Sequence, residues 1–298
     1  MVASVILASV ALSARRTPLP VARNAVPPFD AAGAQRVVLV VLENGDPELA
    51  SRQPFMKYLA QTGMVLTSYY AVAHPSQPNY VAMISGSTAD AMTDGNIRLP
   101  KSRKHLGNIL RGGTWRVYAE NYPALPGRCN LIKQGSGPDR LYVRRHVPFL
   151  SFADVQDGSC TEIVRLNIGT DDVGALKADI SNQRLPLFSM IIPNLAHDGH
   201  EPSNVINASS WLMVNLKPLL EDRRFTEGLV LILTFDEDDS ATNRNRVYTV
   251  IWGDHVKIGT SSDVYDHEDL LATISALLGV APPPFDEKDV RPIGGIWK

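Results

Sequence analysis

The sequence lacks several features that would place the chain in a common class of protein. Lysine and arginine number 29 against 31 acidic residues, for a net charge of −2, and only two of the 298 residues are cysteine. Because there is no basic field, nucleic acid is not an expected partner. The sequence also shows no repeat at solenoid or propeller periods. The chain is long enough for one large α/β domain, or two small ones, with a sizeable core.

Long apolar runs are missing too. Residues 1–14 are apolar or small, but this run is too short to span a bilayer, so no transmembrane segment is expected. The run is typical of a short secretory signal, and Ala-Leu-Ser-Ala at residues 11–14 could be its cleavage site. We therefore expect residues 1–34 to be a signal-like segment and linker, residues 35–298 to be a single catalytic domain, and the protein to be secreted or otherwise extracytoplasmic.

The two cysteines, Cys129 and Cys160, lie in loop-like sequence rather than in apolar runs. An exported chain would join them in one disulfide, whereas a reducing compartment would keep two free thiols. The sequence alone leaves both outcomes open.

Short apolar runs recur along the chain and alternate with helical patterns. Such runs are typical of strands buried on both faces of a parallel sheet. The alternation predicts an α/β fold with a largely parallel sheet and helices on both faces. The predicted strands are Val37–Leu42, Thr114–Ala119, Leu187–Ile192, Leu229–Phe235 and Val247–Trp252. The predicted helices include Pro54–Ala60, one that starts near Ser76, Asp171–Ser181, Trp211–Leu220 and His267–Leu278.

Polar side chains follow the strands at the points where they end. Glu43 and Asn44 come directly after the first strand, and Asp236 and Glu237 come directly after the fourth. Since ligands of α/β sheets bind beyond the carboxyl ends of the strands, we expect these groups to converge. Converging carboxylates would repel one another, and a divalent cation with oxygen ligands would relieve that repulsion. The alternative is that the acids are solvated in loops.

The stretch of residues 73–80, Ala-His-Pro-Ser-Gln-Pro-Asn-Tyr, holds a hydroxyl, an imidazole and an amide close together. One interpretation is that Ser76 is a helix cap with prolines nearby. The other is that a metal ion activates Ser76 as a nucleophile, and that Asn79 donates to a phosphate oxygen. No Gly-x-Ser-x-Gly elbow is present, so the common acyl-hydrolase arrangement is not supported.

Taken together and in order, these motifs resemble the phosphoesterase family that contains bacterial acid phosphatases and phosphatidylcholine-type phospholipases C, a branch of the alkaline phosphatase superfamily. The resemblance runs from about Gln35 to the end of the chain. The matching segments are Glu43-Asn44, His74–Tyr80, Arg145–Pro148, Ile192–Asn194 with Asp198–His200, Asp236–Asp239, and His267.

The resemblance implies an alkaline-phosphatase-like three-layer sandwich and a role for each matching residue. Ser76 would be the nucleophile and form a phosphoserine, and His200 would protonate the leaving group. One divalent metal ion would be bound by Glu43, Asn44, Ser76, Asp236 and Glu237. The phosphate would be held by Asn79, His146, His200 and His267. Two positions depart from the family pattern: Gly45-Asp46 follows Glu-Asn, and Gly199 replaces the usual methionine between Asp198 and His200.

The function that follows from the resemblance is a metal-dependent acid phosphatase that hydrolyses small-molecule or lipid-headgroup phosphate monoesters. A phospholipase C that cuts phosphodiesters is the alternative enzyme. A secreted protein that binds phosphate without turning it over is the alternative outside catalysis. The metal, the natural substrate and the oligomeric state are left open.

Overall fold

The computed structural model describes residue 19 and residues 34–88, 91–200, 202–239 and 244–298. The predicted signal-like segment and linker lie outside the described residues, apart from residues 19 and 34. Among the described residues, no helix has the length and apolar character needed to cross a membrane.

An eight-stranded sheet forms the centre of the fold, with strand order β5-β4-β6-β1-β7-β8-β2-β9. β1 pairs in parallel with both β6 and β7, whereas β8 runs antiparallel to β7 and β2. Its strands are β1 (Arg36–Leu42), β2 (Met64–Leu66), β4 (Trp115–Ala119), β5 (Ile163–Arg165), β6 (Phe188–Ile192), β7 (Leu229–Phe235), β8 (Thr249–Trp252) and β9 (Gly259–Ser261). A separate parallel pair is formed by β3 (Tyr69–Tyr70) and β10 (Tyr265–Asp266).

Helices cover this sheet. They are α1 (Pro47–Ser51), α2 (Pro54–Thr62), α3 (Ser76–Ser85), α4 (Leu106–Leu110), α5 (Ala153–Gln156), α6 (Gly174–Ser181), α7 (Pro202–Asn215), α8 (Lys217–Leu220), α9 (Arg223–Thr226) and α10 (His267–Leu277). Short 3₁₀ helices span Gly137–Asp139, Arg144–His146 and Pro148–Ser151. β1, β6 and β7 are buried along almost their whole length, so both faces of the sheet centre are covered.

The five predicted strands are confirmed, with one end shifted by one or two residues at four of them. The predicted helix Trp211–Leu220 is wrong in its bounds. The observed helix α7 begins nine residues earlier, and α8 is a separate short helix with Pro218 in its first turn. The early part of α7 buries small side chains, Ala208 and Ser209, which carry little hydrophobic signal in the sequence.

Residues 123–170, which show no periodicity in sequence, form a long excursion between β4 and α6. It contains the 3₁₀ helices, α5 and the edge strand β5. Within it, Cys129 and Cys160 form a disulfide across 31 residues. The question that the sequence left open is thus answered in favour of one bond. The excursion matters for the site because it brings Arg145 and His146 to the carboxyl end of the sheet.

Candidate active site

Three carboxylates meet at the carboxyl ends of β1 and β7. Glu43 follows β1, while Asp236 and Glu237 follow β7, and the parallel register sets Leu42 opposite Phe235. One oxygen of each carboxylate lies within 4.8 Å of the others, and all three side chains are buried. The neighbouring strands therefore bring together residues that are almost 200 positions apart in the sequence.

The loops that carry these acids are tied to each other by backbone hydrogen bonds. The Asn44 N–H donates to Asp236 Oδ1 at 2.9 Å. Asn44 has a φ of 43°, in the left-handed region that asparagine tolerates. The Glu43 N–H donates to the carbonyl of Asp198 at 2.6 Å, and the Gly45 N–H donates to the carbonyl of Glu237 at 3.1 Å. The carboxylates are thus held on a fixed frame.

The donor set of this cluster fits a divalent metal ion. Asn44 Oδ1 and Asp236 Oδ2 are buried and have no hydrogen-bond partner among the described residues. A buried polar atom without a partner is costly, and a cation would satisfy both. Carboxylate and amide oxygens are also the ligands that hard cations prefer. The acidic cluster of Glu43, Asp236 and Glu237, with Asn44 beside it, could therefore hold a metal ion.

The electrostatics of the cluster agree with this fit. Burial raises the pKa of Asp236 well above its ordinary value, and the charges of Glu43 and Glu237 raise it further. Burial also raises the pKa of Glu237, although the hydrogen bond from His74 opposes the rise. These carboxylates therefore resist ionisation together, which is the situation that a bound cation reverses.

Ser76 is the first residue of α3 and lies against the cluster. The N-cap residue is Pro75, and no side chain caps the helix, so the interpretation of Ser76 as a capping serine is wrong. Its Oγ donates instead to Glu43 Oε1 and lies 2.9 Å from Glu237 Oε1. A hydroxyl has one proton and can serve only one of these carboxylates at a time.

His146 lies on the opposite side of Glu43. Its Nε2 is 2.7 Å from Glu43 Oε2, and its ring stacks on Tyr80 with centroids 5.1 Å apart. The Tyr80 hydroxyl donates to the same Glu43 oxygen at 3.2 Å. Burial acts to raise the pKa of Glu43, but His146, Ser76 and Arg145 together outweigh it, so the pKa of Glu43 is lowered. Glu43 is therefore the member of the cluster whose ionised form is favoured.

Asp198 reaches the site from the loop after β6, and His200 follows it two residues later. Asp198 is buried, with Oδ2 3.9 Å from His146 Nδ1, and its Oδ1 accepts the His200 N–H at 3.1 Å. Burial raises the pKa of Asp198 to about 6, helped by the charge of Glu43 and opposed by His146. The His200 side chain is only partly buried.

Asn79 has all of its side-chain hydrogen bonds within the protein. Its Oδ1 accepts the N–H groups of Val72 and Ala73, both at 3.0 Å, and its Nδ2 donates to the carbonyls of Ala73 at 2.8 Å and Pro75 at 3.2 Å. The amide therefore holds the loop that leads into Ser76. Phosphate binding by Asn79 stays a prediction, and would require one of these bonds to be shared.

His267 lies behind the cluster at the start of α10. Its Nε2 is 2.6 Å from the carbonyl of Asp236, and its Nδ1 is 3.0 Å from the Tyr69 hydroxyl. The side chain is fully buried. Both ring nitrogens thus contact protein atoms, so the phosphate-binding role predicted for His267 also stays a prediction.

The sequence-based list of site residues omitted three that lie here. His74 hydrogen-bonds Glu237, and this bond raises the pKa of His74 despite partial burial. Tyr80 contacts Glu43, and Asp198 approaches His146. Tyr80 could have been found from sequence, because it lies one helical turn after Ser76 and so shares its face. The sequence also signals the other two, because His74 lies in the same motif as Ser76 and Asp198 stands two residues before His200 at a strand end.

The two departures from the family pattern meet at one side chain, Phe235. A Cβ on Gly45 would lie 2.1 Å from Phe235 Cδ1, and a Cβ on Gly199 would lie 3.3 Å from Phe235 Cε1. Gly199 also has a φ of 97°, which L side chains rarely adopt. The ring thus fills the space that side chains at those positions would otherwise take.

Fold and site together define an α/β protein of alkaline-phosphatase-like architecture, with an acidic cluster and a serine at the carboxyl edge of the sheet. Residues 49–281 match the model of the Phosphoesterase family, which covers most of the chain. The chain therefore belongs to the Phosphoesterase family. The fold is also similar to that of an alkaline phosphatase superfamily protein from Vibrio parahaemolyticus, with a TM-score of 0.58 at 14% identity over 87% of this chain and 70% of that one.

Two curated relatives cover most of the chain. A probable acid phosphatase of Kluyveromyces lactis is 31% identical over 83% of this chain and 59% of its own length. A phosphatidylinositol-3-phosphatase of Mycobacterium tuberculosis is 29% identical over 93% of this chain and 85% of its own length. The chain thus spans about three fifths of the fungal relative.

Proposed function

We propose that this protein is a metal-dependent acid phosphatase that hydrolyses phosphate monoesters through a phosphoserine on Ser76. The observation that carries the proposal is the position of Ser76, whose hydroxyl donates to Glu43 and lies 2.9 Å from Glu237, two of the three clustered carboxylates. An isolated serine hydroxyl is a weak nucleophile, and this arrangement is suited to removing its proton. The names of the relatives support the reaction class and the acidic working range.

The metal ion would be held by Glu43, Asn44, Asp236 and Glu237, with the Ser76 hydroxyl as a further ligand. It would lower the pKa of the bound hydroxyl and neutralise charge on the phosphoryl oxygens. The described residues form a single such cluster, which supports one divalent ion, and the identity of that ion stays open.

In the first step, the Ser76 oxygen forms a bond to phosphorus while the bond from phosphorus to the ester oxygen breaks. Glu43 is placed to take the serine proton, because its Oε1 accepts the hydrogen bond from Ser76 and His146 favours its ionised form. The departing alkoxide takes a proton from His200, which we assign as the general acid. The alcohol leaves, and phosphate remains on Ser76.

In the second step, water attacks the phosphoserine and gives up a proton to His200, which then acts as the general base. The bond from phosphorus to Ser76 breaks, the serine recovers its proton, and inorganic phosphate leaves. His146 would bind the phosphoryl oxygens throughout, with Asn79 and His267 as further candidates.

We further propose that the substrate is a small-molecule or lipid-headgroup phosphate monoester and that the protein works outside the cytoplasm. The mycobacterial relative named for a phosphoinositide supports the lipid option. The disulfide between Cys129 and Cys160 supports an oxidising compartment, because such bonds are rare in reducing ones.

The test is the release of p-nitrophenol from its phosphate monoester between pH 5 and 7. We expect Ser76→Ala to lower kcat by about 1000-fold or more, since removing a nucleophile has effects of this size. Ser85→Ala on the same helix is the control, because the Ser85 hydroxyl bonds only within the helix and its end. Full turnover by Ser76→Ala would contradict the proposal.

A second measurement tests the metal without relying on turnover. We expect a divalent cation at 100 times its Kd to stabilise the metal-free protein, prepared with a chelator, by about 2.7 kcal/mol. Asp236→Asn should remove most of this gain.

The diester bis(p-nitrophenyl) phosphate separates the alternative functions. Preference for this diester over the monoester would favour a phospholipase C-type phosphodiesterase. Phosphate binding without turnover of either ester would favour a binding protein.

A further inference from the structure

Two adjacent arginines in the 3₁₀ helix Arg144–His146 differ in their hydrogen bonds. The Arg144 side chain is buried, and its guanidinium donates to three backbone carbonyls, those of Ile97, Leu131 and Leu150. Arg145 is also mostly buried, at 23% exposure, but its Nε has no hydrogen-bond partner among the described residues. Arg144 therefore has a structural role, and that role does not extend to Arg145.

Arg145 is carried by a 3₁₀ helix that packs against α3, the helix that begins at Ser76. The next residue, His146, has its Nε2 2.7 Å from Glu43 Oε2. Glu43 in turn accepts the hydrogen bond from Ser76. A guanidinium carries its positive charge at any working pH.

Asp94 lies beside this guanidinium. Its Oδ2 is 3.7 Å from Arg145 Nε, and its Oδ1 accepts the N–H of Gln77 at 3.0 Å. Gln77 follows Ser76, and its side chain donates to the carbonyl of Thr93. Asp94 thus links the residue after the serine to the residue before His146, which sets Arg145 against the first turn of α3.

The charge balance of the site favours a further positively charged group that binds the phosphate. The cluster of Glu43, Asp236 and Glu237 carries three negative charges when ionised, so one divalent ion would leave one of them uncompensated. A phosphate monoester dianion would then meet net repulsion. His146 and His74 lie against the carboxylates themselves. Among the described residues the Arg145 guanidinium makes no hydrogen bond, although it pairs with Asp94 at 3.7 Å. A guanidinium of this kind matches phosphate oxygens in geometry and charge.

We propose that Arg145 binds the phosphoryl group that Ser76 attacks, and that Asp94 is its positioning residue. The inference rests on the function proposed above. It adds a binding group of this chain to the histidines and the asparagine assigned from the family pattern.

The test is the affinity of the metal-loaded protein for inorganic phosphate, measured by calorimetry. We expect Arg145→Gln to weaken binding by about 10- to 100-fold, the range for a hydrogen-bonded charge pair. The phosphate affinity of Arg145→Lys should lie between those of wild type and Arg145→Gln, because lysine keeps the positive charge but loses the paired N–H groups of the guanidinium. Unchanged phosphate affinity in a folded Arg145→Gln protein would overturn the proposal.

Two further variants separate a direct contact from a structural effect. Arg98→Gln removes an arginine that pairs with Asp157 on the exposed surface, and it should leave phosphate affinity unchanged. Asp94→Asn frees the guanidinium without removing it, so its effect should be smaller than that of Arg145→Gln. An equal loss in Asp94→Asn would show that the loop is the essential part and would overturn the assignment to Arg145.

The outcomes for Arg145 and for the proposed function are distinguishable. If Ser76→Ala abolishes turnover while Arg145→Gln leaves phosphate affinity intact, only the role of Arg145 fails. If wild type turns over no phosphate ester but Arg145→Gln still weakens phosphate binding, the phosphatase proposal fails and the binding role of Arg145 stands.

Discussion

At the scale of single residues, the site depends on side chains that hold backbone as much as on those that face a ligand. Asn79 and His267 are the clearest cases. Both lie in motifs whose residue types suit phosphate binding, and both use their polar atoms on protein partners. Residue type and spacing predict a phosphate-binding role for both residues, and this role stays a prediction. They could not predict orientation, because orientation depends on where the loop of residues 72–75 and the carbonyl of Asp236 lie after folding.

Asn79→Ala tests whether this residue acts on the loop. The change removes four hydrogen bonds from buried backbone groups, so we expect a loss of about 2–4 kcal/mol in the free energy of unfolding, measured in urea. Normal stability with weakened phosphate binding would instead assign Asn79 to the ligand. Ser85→Ala on the same helix provides the reference for a buried polar deletion.

Gly45→Ala tests the close approach of Phe235 to Gly45, one of the two glycines that depart from the family pattern. The new methyl would overlap the ring, so we expect a loss of about 1–3 kcal/mol in stability. Phe235→Leu should relieve the overlap, making the double variant more stable than the sum of the single changes predicts. Strict additivity in this double-mutant cycle would show that Gly45 is required for another reason.

At the scale of elements, the apolar strands and the polar groups at their ends could be read from sequence, because burial on both faces leaves a continuous hydrophobic signal. The short strands β2, β3, β5, β9 and β10 were not predicted. They have two or three residues each, too few to show a period. The structure of the excursion of residues 123–170 could not be predicted from sequence either, because contacts between distant residues, rather than a local pattern, determine it.

One such contact joins α4 to α5 through a histidine and an acid. His105 Nε2 lies 3.1 Å from Asp154 Oδ2, which also accepts from Asn108 at 2.6 Å. Burial would raise the pKa of Asp154, but these hydrogen bonds outweigh it and lower the pKa below the ordinary value of 3.8. The ionised form is therefore the one that the folded protein prefers.

Asp154→Asn should accordingly destabilise the protein by about 1–2 kcal/mol at pH 7. Because the folded pKa is depressed, this stabilisation is present above the ordinary carboxyl pKa and is lost as the pH falls through the folded value. The gap between wild type and variant should therefore begin to narrow below about pH 4 in urea titrations and shrink further as the pH falls. The exposed Asp157→Asn serves as the control and should have a smaller effect. A gap that keeps its pH 7 size at pH 2 would rule out the charge as its cause.

At the scale of the whole molecule, the disulfide fastens the excursion that carries Arg145 and His146. Cys129→Ala with Cys160→Ala opens a loop of 31 residues, and we expect a loss of about 2–4 kcal/mol in stability. Thermal unfolding with and without reductant measures this, since reductant should lower the wild-type Tm and leave the double variant unchanged. A wild-type Tm that is insensitive to complete reduction would contradict the prediction.

The edges of the main sheet have a consequence for how copies of the protein meet. β5 and β9 end the strand order, and each has three residues. A long, flat edge offers a row of unpaired backbone groups onto which another strand can add, and a three-residue edge offers few. Strand addition between copies therefore has little template here, so a concentrated solution of the folded protein should resist growth into sheet-like aggregates.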